Sequence, residues 1–482
     1  MLRSLFSGVS GLKNHQTRMD VIGNNISNVN TTGFKSSRVT FSDTLSQTLT
    51  GAAAASEGKG GTNPKQIGLG SQVSSVDMLF TDGSVQSTGK NTDLCLSGSG
   101  LFVVKNSNGT FYTRNGAFSF DEQGNYVTSD GSYVQGWTAL DGTLDTNGTP
   151  GNITIPAGKS MEAKATTTVT YVNNLNSAAL TIQSITYNNA GTATTVNTPG
   201  SSLPVPSTNT PPTYTSATLK MSDGSTQVVT DGYYTVGNSM PISTTFTIYD
   251  SLGNAHAVPV LLEKKNGAVN TWKLSLAGSN GNNTITIDEK DGSSTKYTLT
   301  ASALTFKPSG EFDTGTASIA VAFPANTTTG ITNGAAPATL DLDLSALTQY
   351  SGSSTINAGA DGNAAGTLSK VSVDSSGIIT GTYTNGVIQY EAQVAVAQFN
   401  NSAGLTKVGG SYYQESNNSG VPNVKTAAKL GVTITPSALE MSNVDIADQF
   451  SDMIITQRGF QSNSKIITVS DEILETLINM KR

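Results

Sequence analysis

The chain has 482 residues, enough for about three domains by length alone. It carries 27 Lys and Arg against 34 Asp and Glu, a net charge of −7, and only 13% of its residues are charged. Such a chain lacks the basic surface that neutralises phosphate, which excludes a nucleic-acid binder, and 36% apolar content is not that of a self-repelling disordered chain. One cysteine, Cys95, and two histidines, His15 and His256, exclude a disulfide framework, a cysteine-cluster zinc site and a His-rich metal centre. No run of 18 apolar residues is present, so no membrane span is expected, and Ser7, Gly8, Ser10 and Gly11 interrupt any signal-peptide core. The expectation is a protein that is cytoplasmic, or exported by a route that reads no cleaved signal.

The first predicted element is a helix. Leu2, Leu5, Val9, Leu12, Met19 and Ile26 recur in steps of 3 and 4, with Gln16 and Gly23 filling the spacing and Phe6 and Ile22 widening the stripe. It should end in the Asn-rich stretch 24–30, with Gly33 available for a left-handed turn. Gly8, Gly11 and Gly23 weaken it by about 1 kcal/mol each relative to alanine, so alone it is marginal. Residues 31–70 are rich in Thr, Ser, Gly and Ala and read as an irregular linker.

Strands follow over 71–145, with turns at Asn108-Gly109, Asn115-Gly116, Gly124-Asn125 and Asp130-Gly131. Residues 146–357 become richer in Thr, Ser, Asn and Gly, with prolines at 204, 206, 211 and 212, and read as one or two inserted β domains. Within them, 245–249 and 257–262 flank a turn at 250–254, Leu340, Leu342 and Leu344 alternate with Asp341 and Asp343, and 180–235 lacks strong periodicity. Residues 358–438 return to the β pattern, with a hairpin at Asn385-Gly386.

The C-terminus predicts a long helix. Ile446, Phe450, Met453, Gln457, Phe460, Ser464, Ile467, Asp471, Leu474 and Ile478 alternate steps of 4 and 3. Ser437…Glu440 and Ser442…Asp445 are capping-box patterns, the second placed better for the stripe, and Lys481 and Arg482 suit the negative end of the dipole. Residues 1–38 carry a net +4 and residues 439–482 a net −3, which invites pairing within one chain or between chains. Each apolar stripe either packs into its own domain core or joins an inter-subunit bundle; the charge complementarity and the glycines favour the bundle. Helices this weak should be largely disordered in a free monomer and order on assembly.

Catalytic signatures are missing. Gly68-Leu69-Gly70 and Gly98-Ser99-Gly100 lack the third glycine of a dinucleotide loop, and Gly83, Gly89 and Lys90 have the wrong spacing for a phosphate loop. No G-x-S-x-G elbow occurs, and a Ser–His–acid triad would need His15 or His256. Cys95, in Asp93-Leu94-Cys95-Leu96, reads as a small buried hydrophobe, with a cross-link between subunits as the alternative. No catalytic, cofactor or metal residue is predicted, which points to a structural role.

Two terminal motifs carry a family resemblance. Leu5-Phe6-Ser7-Gly8-Val9-Ser10-Gly11-Leu12, followed by Asn24-Asn25-Ile26-Ser27-Asn28-Val29-Asn30-Thr31-Thr32-Gly33-Phe34-Lys35, resembles the start of bacterial flagellar rod and hook proteins. Leu439-Glu440-Met441-Ser442-Asn443-Val444-Asp445 and Gln457-Arg458-Gly459-Phe460-Gln461-Ser462-Asn463-Ser464-Lys465 resemble their end. Tyr112-Thr113-Arg114-Asn115-Gly116-Ala117-Phe118 and Asn63-Pro64-Lys65-Gln66-Ile67-Gly68-Leu69-Gly70 are shared by hook and distal-rod members, whereas Thr247-Ile248-Tyr249-Asp250-Ser251-Leu252-Gly253-Asn254-Ala255-His256 looks like the outer domain of the hook branch. The resemblance spans about 1–145 and 240–482.

It implies a mainly β chain with nested domains. Residues 1–30 with 440–482 would form an inner helical coiled domain, 31–70 a linker, 71–145 with 358–438 a middle β domain and 146–357 the outer β domain, with 180–235 a possible insertion. It also implies a self-polymerising structural subunit of an extracellular tube, a universal joint between motor and filament, exported through the flagellar type III apparatus without a cleaved signal. Its partners would be copies of itself, the rod, the hook cap and the hook–filament junction proteins, with no nucleic acid and no membrane insertion. The expected assembly seam is Leu2, Leu5, Val9, Leu12, Met19 and Ile26 with Ile446, Phe450, Met453, Phe460, Ile467, Leu474 and Ile478. A distal-rod subunit and a monomeric β-rich surface adhesin are the rival readings; the inserted outer domain argues against the first.

Overall fold

The computed structural model describes residues 2–55, 57–189, 191–206 and 214–480. The chain is mainly β, with one long helix at each end: α1, Leu2–Ser27, and α2, Ile446–Asn479. It divides into two units, residues 1–159 with 368–482 and residues 160–367.

The first unit holds both helices and a large antiparallel sheet. Leu101–Asn106 pairs with Gly109–Thr113, Tyr133–Thr138 and Val396–Gln398, and Ile378–Tyr383 with Ile388–Val394. Apolar side chains on one face, including Leu94, Phe102, Phe118, Tyr126, Val394 and Ile434, make a core that excludes water. Gly109, Gly124, Gly131 and Gly386 take the positive φ expected of their turns. Asn115-Gly116 does not form such a turn. Gly116 is needed there for space, because a β-carbon would lie 1.7 Å from the Leu94 carbonyl oxygen.

Two further expectations need correction. Residues 31–70 are not an irregular linker: Ser37–Asp43 pairs with Ser71–Met78, and Ser46–Thr50 with Lys65–Gly68. The outer part of this ribbon is exposed on both faces, so no burial alternation marks it in the sequence. The boundary between units also falls after Lys159 and before Leu368, not at 145/146 and 357/358. Ile153 and Ile155 are buried in the core of the first unit, and the Ile155 N–H donates to the Gly124 carbonyl at 2.7 Å. On the return, Asn357–Ala360 pairs with Thr168–Asn176 and so stays in the second unit.

The core of the second unit lies between its two largest sheets. One runs Thr284–Asp288, Ser294–Ala301, Ala317–Ala322, Ala338–Tyr350, Thr168–Asn176, Asn357–Ala360; the other begins Ile242–Tyr249, Ala255–Lys264, Thr271–Leu276. Thr168–Asn176 and Ala338–Tyr350 run parallel. Leu340, Leu342 and Leu344 point into the core around Trp272, while Asp341 and Asp343 face solvent. Residues 180–235 carry a sheet and a hydrophobic cluster of their own, centred on Ile185, Tyr187, Tyr214 and Leu219. Pro211 and Pro212 lie outside the described residues.

A polar knot braces the 250–254 turn. The Asp250 carboxylate accepts from the backbone N–H groups of Leu252 and Asn254, both at 2.9 Å, and from Asn333 Nδ2 at 2.9 Å, and it lies 3.1 Å from His256 Nε2. Burial by itself would raise this carboxyl, but the hydrogen bonds from Asn254, His256 and Asn333 override it and hold it at about 2. An acid held below its ordinary value of 3.8 adds stability that is complete above that value and is lost as the pH falls through the folded value. The second unit should therefore lose about 2 kcal/mol to this group between about pH 4 and pH 2. Amide exchange of 242–264 as a function of pH checks this, with Asp250→Asn showing a shallower acid loss.

Candidate subunit-assembly surface

α2 begins at Asp445, whose carboxylate accepts from the N–H groups of Ala447 at 2.8 Å and Asp448 at 3.3 Å. The expected box with Ser442 as cap does not form. Asn443 is tied to the Leu79 carbonyl at 2.8 Å and to the Ser36 N–H at 2.8 Å, which keeps the chain extended until Asp445. α1 ends at Ser27, and Gly33 then takes φ 66°. The basic end at Lys481 and Arg482 lies outside the described residues.

The helices pack antiparallel. Asn25 Nδ2 donates to Gln449 Oε1 at 3.0 Å, and Arg18 pairs with Asp452 at 2.9 Å. His15 lies on Gly459, where a β-carbon would sit 2.6 Å from the ring. Gly11 faces Asn463, where a β-carbon would sit 2.7 Å from Nδ2, and Gly8 faces Ile467. Thr456 and Ser470 are buried on the same side of α2. The glycines that weaken α1 as an isolated helix thus allow its axis to approach α2 closely.

This seam is displaced from the apolar stripe. On α1 it uses positions 8, 11, 15, 18 and 25, and on α2 positions 449, 452, 456, 459, 463 and 470, each one residue before a position of the predicted stripe. One residue is roughly 100° of rotation in a helix. Small and polar residues therefore join the two helices, and the apolar stripes turn to the side. Val9, Ile446, Phe450, Phe460 and Ile478 are exposed, Ile478 to 67%. Leu5, Leu12, Met19, Ile26, Met453, Ile467 and Leu474 are half-buried, and Ile467 reaches α1. The side chain of Leu2 lies outside the described residues. Reading one stripe missed a second exposed flank on α2, formed by Ile455, Ile466, Val469, Ile473 and Leu477. From Ile466 to Leu477 its steps are 3, 4 and 4, a signal present in the sequence, whereas Ile455 stands 11 residues earlier with Gly459 and Ser462 between. In all, α2 carries ten large apolar side chains at least about 40% exposed, which makes it the candidate interaction surface.

The remaining candidates lie in packed surroundings. Cys95 is buried, and burial pushes its thiol up to about 11, so it is a poor nucleophile. His15 lies against α2, and His256 is enclosed by Asp250 and Glu289. Among the described residues no group of three or more metal-ligating side chains occurs, and no helix is long and apolar enough to cross a membrane.

Known proteins match this chain from end to end. Residues 5–35 match the family described as flagella basal body rod protein, 95–194 the flagellar hook protein FlgE/F/G D1 domain, 234–363 the flagellar basal body protein FlaE D2 domain, and 435–480 the flagellar basal body rod FlgEFG protein C-terminal. The flagellar hook protein FlgE of Treponema pallidum is 36% identical, with all of both chains covered. The chain belongs to the flagellar hook protein family. Another hook relative, FlgE of Salmonella typhimurium, is 32% identical over 99% of this chain and 100% of its own. The flagellar basal-body rod protein FlgG of Bacillus subtilis is 28% identical with both chains covered, below the two hook relatives named here. The hook family is a family of flagellar structural proteins, and the surface described above is set within it.

Proposed function

We propose that this chain is the structural subunit of the bacterial flagellar hook and polymerises through its terminal helices into a flexible tube that passes torque from rod to filament. One observation carries the reading: Val9 on α1 and Ile446, Phe450, Phe460 and Ile478 on α2 stay exposed beside the seam that joins the two helices, so they are available to neighbouring copies. The half-buried seam residues Leu5, Leu12, Met19, Ile26, Met453 and Leu474 border that surface, and Ile467 packs against α1. Burying them between subunits offsets the entropy of ordering two weak helices. In this reading 1–30 with 440–482 is the inner coiled layer, the β part of the first unit is the middle layer, and 160–367 is the outer one. The tube lies outside the cell, meets the rod, the cap and the junction proteins at its ends, and performs no catalysis. Outer surfaces rich in Thr, Ser and Asn can exchange subunit contacts for water at little cost as the tube bends.

Electron microscopy of three purified chains tests this. The full-length chain should form tubes, and a chain lacking 2–27 and 446–482 should stay monomeric. A chain lacking 160–367 should still polymerise but bend or coil abnormally. Its ends lie side by side, the Leu368 N–H donating to the Lys159 carbonyl at 2.9 Å, so a short glycine linker joins them. Tubes from the helix-free chain, or no polymer from the chain without 160–367, would overturn this division of labour.

A further inference from the structure

Three charged side chains are buried where the helices join the β part of the first unit. Lys35 follows α1 by about eight residues, Glu440 precedes α2 by about six, and Arg114 belongs to the β part. Their side chains are no more than 1% exposed. Lys35 Nζ donates to Glu440 Oε1 and to the Thr81 carbonyl, both at 2.6 Å. Arg114 donates to Glu440 Oε2 at 3.1 Å, to the Leu96 carbonyl at 3.3 Å and to the Gly98 carbonyl, and it meets the rim carboxylate of Asp82 at 3.4 Å. The Gly83 N–H donates to Glu440 Oε1 at 2.9 Å.

Backbone bonds close the same place. The Gly33 N–H donates to the Glu440 carbonyl at 2.8 Å, and Asn443 links Ser36 to Leu79. Gly33 has no space for a side chain, because a β-carbon would sit 2.5 Å from the Asn115 nitrogen. Four passages of chain, 33–36, 79–83, 114–115 and 438–443, thus meet around one carboxylate. Burial pushes the Lys35 ammonium below its ordinary value and Glu440 opposes that shift, so loss of Glu440 would leave a buried cation unpaired.

We infer that Lys35, Glu440 and Arg114 form a lock that stays closed in the free subunit and holds the roots of α1 and α2 together before the helices pair. Strand pairing already brings both roots to the β part, Ser37–Asp43 against Ser71–Met78 and Ala438–Glu440 against Val85–Ser87; the lock ties these two ends to each other, so that two short tethers leave one point and the helix pairing is local. The three are positioning residues, acting through the helices they root. The lock serves the assembly proposed above, yet it is a property of the monomer and survives a failure to polymerise.

Hydrogen exchange on full-length monomer tests it. In the wild type, 33–36, 79–83 and 438–443 should exchange at least about tenfold more slowly than 5–26 and 450–474. Glu440→Gln strands two buried cations and should speed exchange at the lock at least about tenfold, while Leu101–Asn106 stays protected. Lys35→Met combined with Glu440→Gln removes one charge of each sign, leaves Arg114 to Asp82, and should recover most of the protection. Fast exchange at the lock in the wild type overturns the inference, as does unchanged protection in Glu440→Gln or a double variant no better than the single. If Glu440→Gln does not fold, a folded and protected double variant supports the lock, and the wild-type comparison decides by itself if neither folds.

Discussion

Phe450→Asp combined with Phe460→Asp is expected to leave the monomer's stability within about 0.5 kcal/mol per site of the wild type and to abolish tube formation. Both rings are exposed in the single chain, at 50% and 40%, and neither belongs to a core cluster, so the folded monomer has little to lose. In a polymer the same two positions would be enclosed by neighbouring helices, where an unpaired carboxylate costs several kcal/mol. The cost recurs at every subunit added, so the critical concentration should rise by about a thousandfold or more. Sedimentation and electron microscopy read the polymer, and urea titration followed by circular dichroism reads the monomer. Normal tubes from this variant would mean that the assembly surface lies elsewhere. Loss of monomer stability would mean that the rings serve a core contact.

Trp272→Ala should be the most damaging single truncation in the second unit. The indole is fully buried among Val260, Leu274, Leu304 and Leu347, and its Nε1–H donates to Gln349 Oε1 at 3.0 Å. Removing it leaves a large cavity and an amide without its donor, a loss of about 3–5 kcal/mol. That is a large part of the marginal stability of a domain. Exchange protection across Ala255–Lys264 and Ala338–Tyr350 should fall by about a hundredfold or more, with Leu101–Asn106 as the internal reference. Trp272→Phe, which keeps most of the volume, should lose much less.

The β architecture was legible because its signals are local. Alternation at Leu340–Leu344 and the positive-φ glycines of the 109, 124, 131 and 386 turns each need only a few neighbouring residues to be read. The helix stripes were legible for the same reason. The face used to pair the two helices was not, because it is selected by size: Gly11 against Asn463 and Gly459 against His15 are matches between residues more than 400 positions apart. The ribbon at 37–78 was hidden by its exposure, which leaves no hydrophobic alternation over Ser46–Thr50 and Lys65–Gly68. Lys35, Arg114 and Glu440 each fall inside a motif that carried the family resemblance, yet no spacing rule says that they meet. A lone charge in a sequence reads as a solvated one unless its partner is known.

The close approach of Lys159 and Leu368 gives the second unit the character of a cassette. A segment whose two ends leave from adjacent backbone positions can be lengthened, shortened or exchanged without moving the helices or the core strands that hold the fold. Lineages could vary the surface they present to their surroundings while keeping the machinery of the joint unchanged. The same socket offers an engineering graft point, where a foreign domain with neighbouring termini would be displayed once per subunit along a regular helical lattice.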